Sequence, residues 1–97
     1  METKQQEVKY NILIKGGFKS VNGEPIKEME KYGKYYIHKA SNGDWVVDEY
    51  TSGTAICSER TKKYTIEKAI NLIGKHGIEK TKKLIERSIK QYGVANE

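Results

Sequence analysis

Hydrophobic and polar positions alternate along the first sixty residues and then change period. Val8, Tyr10, Ile12 and Ile14 recur at every second position, which predicts a strand with those four side chains on one face. Gly16-Gly17 breaks the run. Asn22-Gly23 favours the two positive-φ positions of a tight hairpin turn, so a second short pairing is expected there, flanked by Val21 and Ile26. Lys27–Lys34 is charged and reads as a loop or a single helical turn. Lys34–Lys39, Trp45–Tyr50 and Thr54–Ser58 then read as three strands, joined through Ser41-Asn42-Gly43-Asp44 and Thr51-Ser52-Gly53. Strands spaced by such turns form an antiparallel meander. Period two sets Trp45, Val47 and Glu49 on one face and Val46, Asp48 and Tyr50 on the other.

After Arg60 the period becomes helical. Ile66, Ala69, Ile70 and Ile73 fall at i, i+3, i+4 and i+7, a stripe expected to face the sheet. Thr61 or Thr65 can cap this helix, because a hydroxyl there accepts from an otherwise unpaired backbone N–H. Gly77 can close it in a left-handed conformation. A second helix is predicted from Ile78 to Tyr92, with Ile78, Ile85, Ile89 and Tyr92 inward and Gly93 as its stop. The expected product is one α+β domain over residues 1–97, frayed at 1–6, mostly β over 7–59, and helical and basic over 60–92. Its two layers are an antiparallel β-sheet (meander) and one or two C-terminal helices packed on one face.

Composition narrows the class. A chain of 97 residues buries a single modest core. Its apolar share of 36% is low beside 32% charged, but the apolar residues cluster, which argues for folding rather than disorder. Cys57 is the one cysteine, so no internal disulfide forms and a stapled secreted scaffold is excluded. The Met-Glu-Thr-Lys start leads into no apolar run, so no signal peptide is expected. Apolar runs stay far short of the roughly 20 residues that span a bilayer. A soluble cytoplasmic protein without membrane partners is expected, in the host cytoplasm if a phage encodes it. Richness in Lys, Glu, Ile and Asn with a single Pro suits a low-GC bacterium or its phage.

Charge adds the main functional hint. Residues 60–97 hold ten Lys/Arg against four Asp/Glu, whereas residues 1–59 hold eight against nine, so the helical part carries the whole excess of +5. Lys80, Lys83, Arg87 and Lys90 share one helical stripe, with Arg60, Lys62 and Lys63 around the start of the first helix. Such a stripe neutralises phosphates with release of counterions. It also serves as a plain solvated face, since Glu79–Lys83 and Glu86–Lys90 are i,i+4 pairs. Cations in a helix's first turn oppose its dipole, so something other than helix stability is expected to keep Lys62 and Lys63 there. Tyr36, Tyr50 and Tyr64 are candidates for base stacking or for anchoring an interface. Trp45 is the best aromatic candidate for the core.

Other chemistry is weakly signalled. Asp48 and Glu49 are sequential in a strand and point to opposite faces, which defeats a paired acid–base site. Asp44 suits its turn. Cys57 with His38 or His76 lacks a third orienting group, and no zinc spacing is present. Gly16-Gly17 lacks the following helix of a phosphate-cradling loop. No catalytic residue, metal or cofactor is expected, and no enzyme.

The run Trp45-Val-Val-Asp-Glu-Tyr-Thr-Ser-Gly-Thr-Ala-Ile56, followed by Thr61-Lys-Lys-Tyr-Thr-Ile-Glu-Lys-Ala69, resembles a pattern in small accessory proteins of phages infecting Gram-positive bacteria. There a Trp-Val-Val strand leads through a Thr-x-Gly turn to another strand and a Thr-Lys-Lys-capped helix. The resemblance implies a role against host defence, by inhibiting a CRISPR nuclease or by sequestering a nucleotide immune signal. A meander with a helix is also similar to the three-stranded DNA-binding domains of integrase arms and AP2-type regulators. The strands here carry Asp44, Asp48 and Glu49 against Lys39 alone as a central cation, and an acidic sheet face reads a groove poorly.

The leading expectation is a non-enzymatic, phage-type anti-defence protein that binds a phosphate-bearing ligand, either a nucleotide signal or nucleic acid. Lys62, Lys63, Lys83 and Arg87 would supply charge, and Tyr36 and Tyr50 stacking. A small nucleotide would need a pocket shared between subunits, hence a homo-oligomer. Two rivals stand beside it. One is an anti-CRISPR-like inhibitor that binds a host nuclease through a strand edge or the sheet face. The other is a small DNA-binding regulator using the second helix.

Overall fold

The computed structural model describes residues 7–97, apart from the His76 side chain, so the fraying expected at 1–6 lies outside the described residues. Five strands run in chain order: β1 (Val8–Ile14), β2 (Gly17–Pro25), β3 (Tyr35–Lys39), β4 (Trp45–Glu49) and β5 (Ala55–Glu59). A 3-10 helix (Lys27–Tyr32) separates β2 from β3, and α1 (Lys62–His76) and α2 (Ile78–Tyr92) follow. Every neighbouring pair is antiparallel and the order is β1-β2-β3-β4-β5. The chain therefore forms the expected α+β meander with C-terminal helices, with two strands ahead of the three that the turn signals marked.

One turn sits elsewhere than expected. The β1–β2 hairpin closes at Lys15-Gly16, where Gly16 takes a φ of 90°, while Asn22 and Gly23 lie inside β2 opposite Lys9 and Val8. Gly23 is required there for space rather than for a turn. A Cβ at this position would overlap the Ile37 carbonyl oxygen and come within 2.9 Å of the Tyr10 ring and 3.0 Å of His38 Cβ. The missing side chain lets Tyr10 cross β2 and reach β3 and β4.

The main core lies between the sheet and α1. Tyr35, Ile37 and Val47 pack with Ile26 and Met29, at the start of and within the 3-10 helix, and with Ala69 and Ile73 of α1. Ile66 and Ile70 flank them half-buried, so the apolar stripe of α1 faces the sheet as its spacing indicated. Trp45 packs at the edge of this core. Thr61 caps α1 by accepting from the Tyr64 N–H at 3.2 Å, and Gly77 ends it with a φ of 92°. Thr65 is no cap: it is buried within α1, and its hydroxyl donates to the Thr61 carbonyl at 2.6 Å.

α2 departs from expectation. None of its residues is buried. Ile85 and Ile89 are half-covered, but Ile78 and Tyr92, expected to point inward, are 49% and 48% exposed. A single glycine joins the helices, too short a link for two antiparallel helices to pack along their length. What holds the far end of α2 is the segment after it. The Asn96 side chain pairs with both backbone groups of Asn11, accepting from its N–H and donating to its carbonyl, each at 2.8 Å. The Ala95 N–H donates to the Thr51 carbonyl at 2.7 Å. The open edge of β1 is thus closed by a side-chain amide in place of a strand, and by Leu13 donating to the Gly53 carbonyl at 2.8 Å. No helix among the described residues is long and apolar enough to cross a membrane.

Replacing Gly23 with Ala tests the crossing of Tyr10 over β2. The added methyl should cost about 1–3 kcal/mol as an overpacked site. That corresponds to a fall in Tm of roughly 5–20 °C for a domain of this size, read by thermal denaturation. An unchanged Tm would contradict the crowding.

Candidate functional site

Two regions gather the polar chemistry. The first is the sheet face turned away from α1. Tyr36, His38 and Asp48 alternate with the core positions of β3 and β4, and Tyr50 follows on the same side. Tyr10 reaches over from β1 and donates its hydroxyl to Asp48 Oδ2 at 2.8 Å. His38 Nδ1 lies 2.6 Å from the same oxygen and 3.3 Å from the Tyr10 hydroxyl. An ionised carboxylate only accepts, so Nδ1 carries the proton while Asp48 is charged. All three groups are buried, and Asp48 Oδ1 has no hydrogen-bond partner among the described residues.

Burial is the larger influence on Asp48 and pushes its carboxyl above the ordinary range, with the hydrogen bonds from His38 and Tyr10 pulling partly back. Burial and the neighbouring carboxylate push the Tyr10 phenol up, so it remains a donor. This is a closed structural clasp. Among the described residues the His38 ring makes hydrogen-bond contacts only with Asp48 and Tyr10. Cys57 lies on β5, its thiol bonded to the Thr65 carbonyl at 3.4 Å and its pKa pushed up by burial. No group of three or more His, Cys, Asp or Glu side chains is placed to hold a metal ion among the described residues.

Tyr36 and Tyr50, expected to offer stacking faces, pack together here and remain half-exposed. Their rings stack on each other at 4.6 Å and both pack near Tyr10. The cation above them is Lys34, 5.2 Å from the Tyr50 ring, rather than any of the helical lysines. Asp48 and Glu49 are likewise no surface charges. Glu49 is buried and accepts from the backbone N–H groups of Thr51 and Ser52 and from the Ser52 hydroxyl, which holds the β4–β5 turn. The acidic sheet face inferred from the alternation therefore does not reach solvent. Asp44 serves its turn, its N–H donating to Asn42 Oδ1 at 3.0 Å.

The second region is the outer surface of the helices. Lys62 opens α1 against the dipole because it pairs with Glu24 of β2 and lies 5.7 Å from the Trp45 ring. It is a structural cation more than a free one. Lys63 lines a shallow cleft of about 500 Å³ with Glu28, Glu67, Ile66 and Ile70. Lys68 pairs with Glu59, and Arg60 is exposed just ahead of the cap. Lys80, Lys83, Arg87 and Lys90 are all exposed, and none makes an ion pair among the described residues. Tyr64 stands free on α1 at 57% exposed.

No protein-family model, curated protein or solved structure matches this chain. The geometry alone therefore distinguishes the two regions: a buried clasp bordered by half-exposed tyrosines, and an exposed cationic surface on the helices.

The clasp has a pH signature. A carboxyl whose pKa is higher folded than unfolded favours folding below the ordinary aspartate value of about 3.9, and that contribution is lost as pH rises through the raised value. Asp48→Asn cannot ionise, so the Tm of the variant relative to the native chain should climb as pH increases from about 4 towards neutrality. Melts across that range check it, and a constant or falling difference would count against the assignment.

Proposed function

We propose that this protein is a non-enzymatic accessory protein of the phage type that binds nucleic acid through α2 and acts against a host defence system. The observation that carries the binding is the unpaired stripe of Lys80, Lys83, Arg87 and Lys90. At about 100° per residue these four fall within an arc of about 80° on the side of α2 opposite Ile85 and Ile89. They span about 15 Å along the axis, the length of about four phosphates on one strand. That extent on a convex face suits a polymer backbone better than a single nucleotide, which needs an enclosing pocket. The resemblance of Trp45–Ile56 and Thr61–Ala69 to phage accessory proteins supports the anti-defence role.

A second reading, an anti-CRISPR-like inhibitor that binds a host nuclease, is favoured by the exposed apolar side chains of Leu84 and Tyr92 on α2 and of Val94 just after it. The two readings separate by salt. Four phosphate contacts give a slope of log affinity against log salt of about −3 to −4, whereas apolar docking is nearly flat. Anisotropy of labelled duplex and single-stranded oligonucleotides between about 50 and 200 mM salt measures it. Charge reversal of Lys83 and Arg87 to Glu should weaken binding at least about tenfold at the lower salt and flatten the slope. Unchanged affinity after both reversals would remove the α2 reading.

A further inference from the structure

Tyr64 is the most exposed of the large apolar side chains, and it points to the state of the nucleic acid. Resting on the reading of α2 as a backbone-binding helix, we infer that the bound nucleic acid is single-stranded and that Tyr64 stacks one of its unpaired bases. Tyr36 and Tyr50 close on each other and on Tyr10. The Tyr64 ring, by contrast, stacks on no other ring and has no cation over its face among the described residues, and its hydroxyl has no hydrogen-bond partner there.

The surroundings fit a base. Lys68, Asn71 and Lys75 follow Tyr64 at i+4, i+7 and i+11, so they form one line along the outer face of α1. With Glu67 and Leu72 they border a depression of about 310 Å³, at the small end of the range for ligand sites. Asn71 can both donate to and accept from a base edge, and Glu67 accepts. Lys68 is answered by Glu59, which leaves Lys75 as the cation available to a phosphate. Lys75 lies two residues before the Gly77 joint and Lys80 three after it, so both helices carry an exposed cation close to the joint.

The ring selects against a duplex. Paired bases are closed face to face, and a tyrosine fixed on a rigid helix can meet only their edges. A strand with unpaired bases offers a free face, and stacking on it tolerates any sequence.

The test is anisotropy with labelled oligonucleotides of about 20 nucleotides, single-stranded and as the matching duplex, with circular dichroism to confirm that each variant folds. The native chain should prefer the single strand. Tyr64→Ala should lose about 5- to 100-fold on the single strand and little on the duplex, whereas Tyr64→Phe, which keeps the ring, should bind as the native chain does. Equal binding of the two forms by the native chain, or an unaltered single-strand affinity in Tyr64→Ala, overturns the inference. If Lys83 and Arg87 reversals still weaken binding in that case, the α2 reading stands without it. Absence of binding by the native chain to either form takes down both.

Discussion

Two donors, the Tyr10 hydroxyl and His38 Nδ1–H, converge on one oxygen of Asp48 inside the molecule, and the shape of the sheet follows from that meeting. Tyr10 belongs to the first strand and Asp48 to the fourth, so the bond can form only if β1 bends back across the face of β2 and β3. Gly23 leaves the passage open. The Tyr10, Tyr36 and Tyr50 rings fill the space beneath. A buried carboxylate that loses its partners is among the costliest defects in a protein, on the order of 3–5 kcal/mol. The Asp48 Oδ1, without a partner among the described residues, leaves the carboxylate only partly compensated even in the intact clasp. The network therefore specifies where β1 goes more than it adds stability.

That arrangement decides which surfaces are left for a partner. One sheet face is covered by α1 and the other is occupied by the clasp, so Tyr10, Asp48 and Glu49 are drawn inward while Tyr36 and Tyr50 stay half-exposed. The outer sides of α1 and α2 remain. α2 buries no residue of its own and is tied down at its ends, by Gly77 on one side and by Ala95 and Asn96 on the other. A helix held in this way is half-covered only along Thr81, Ile85, Ser88 and Ile89, which explains how a chain with a single modest core can present so much free positive charge.

The alternation and turn chemistry made the meander and the stripe of α1 legible and narrowed the cap to Thr61 or Thr65, because each depends on local spacing. The front hairpin was misplaced because Asn22-Gly23 is the stronger local turn signal, and only the long-range demand of Tyr10 for space explains a glycine inside β2. The polarity of the sheet face was misread for a related reason. Alternation places Asp48 and Tyr50 on one face but does not reveal that a distant strand covers them. Part of the clasp was within reach: pairing Lys39 with Trp45 around the Ser41–Asp44 turn makes His38 and Asp48 diagonal neighbours on one face. Tyr10 was not, since nothing near it in the chain names its partner. The basic residues divide in the same manner. Lys62 looked free because its partner Glu24 is 38 positions away, whereas the stripe of α2 owes nothing to distant contacts and was readable from the helix period alone.

We propose that a nucleic-acid partner meets the outer faces of the helices and leaves the sheet untouched. Amide chemical-shift mapping of the isotopically labelled protein, titrated with a single-stranded oligonucleotide at low salt, addresses it most directly. The account predicts shifts gathered at Lys80, Lys83, Arg87 and Lys90 and along the outer line of α1 from Tyr64 to Lys75, with Tyr36, His38, Asp48 and Tyr50 unmoved. Shifts centred on the tyrosines and the clasp would show that the sheet face opens to the ligand, and would contradict it.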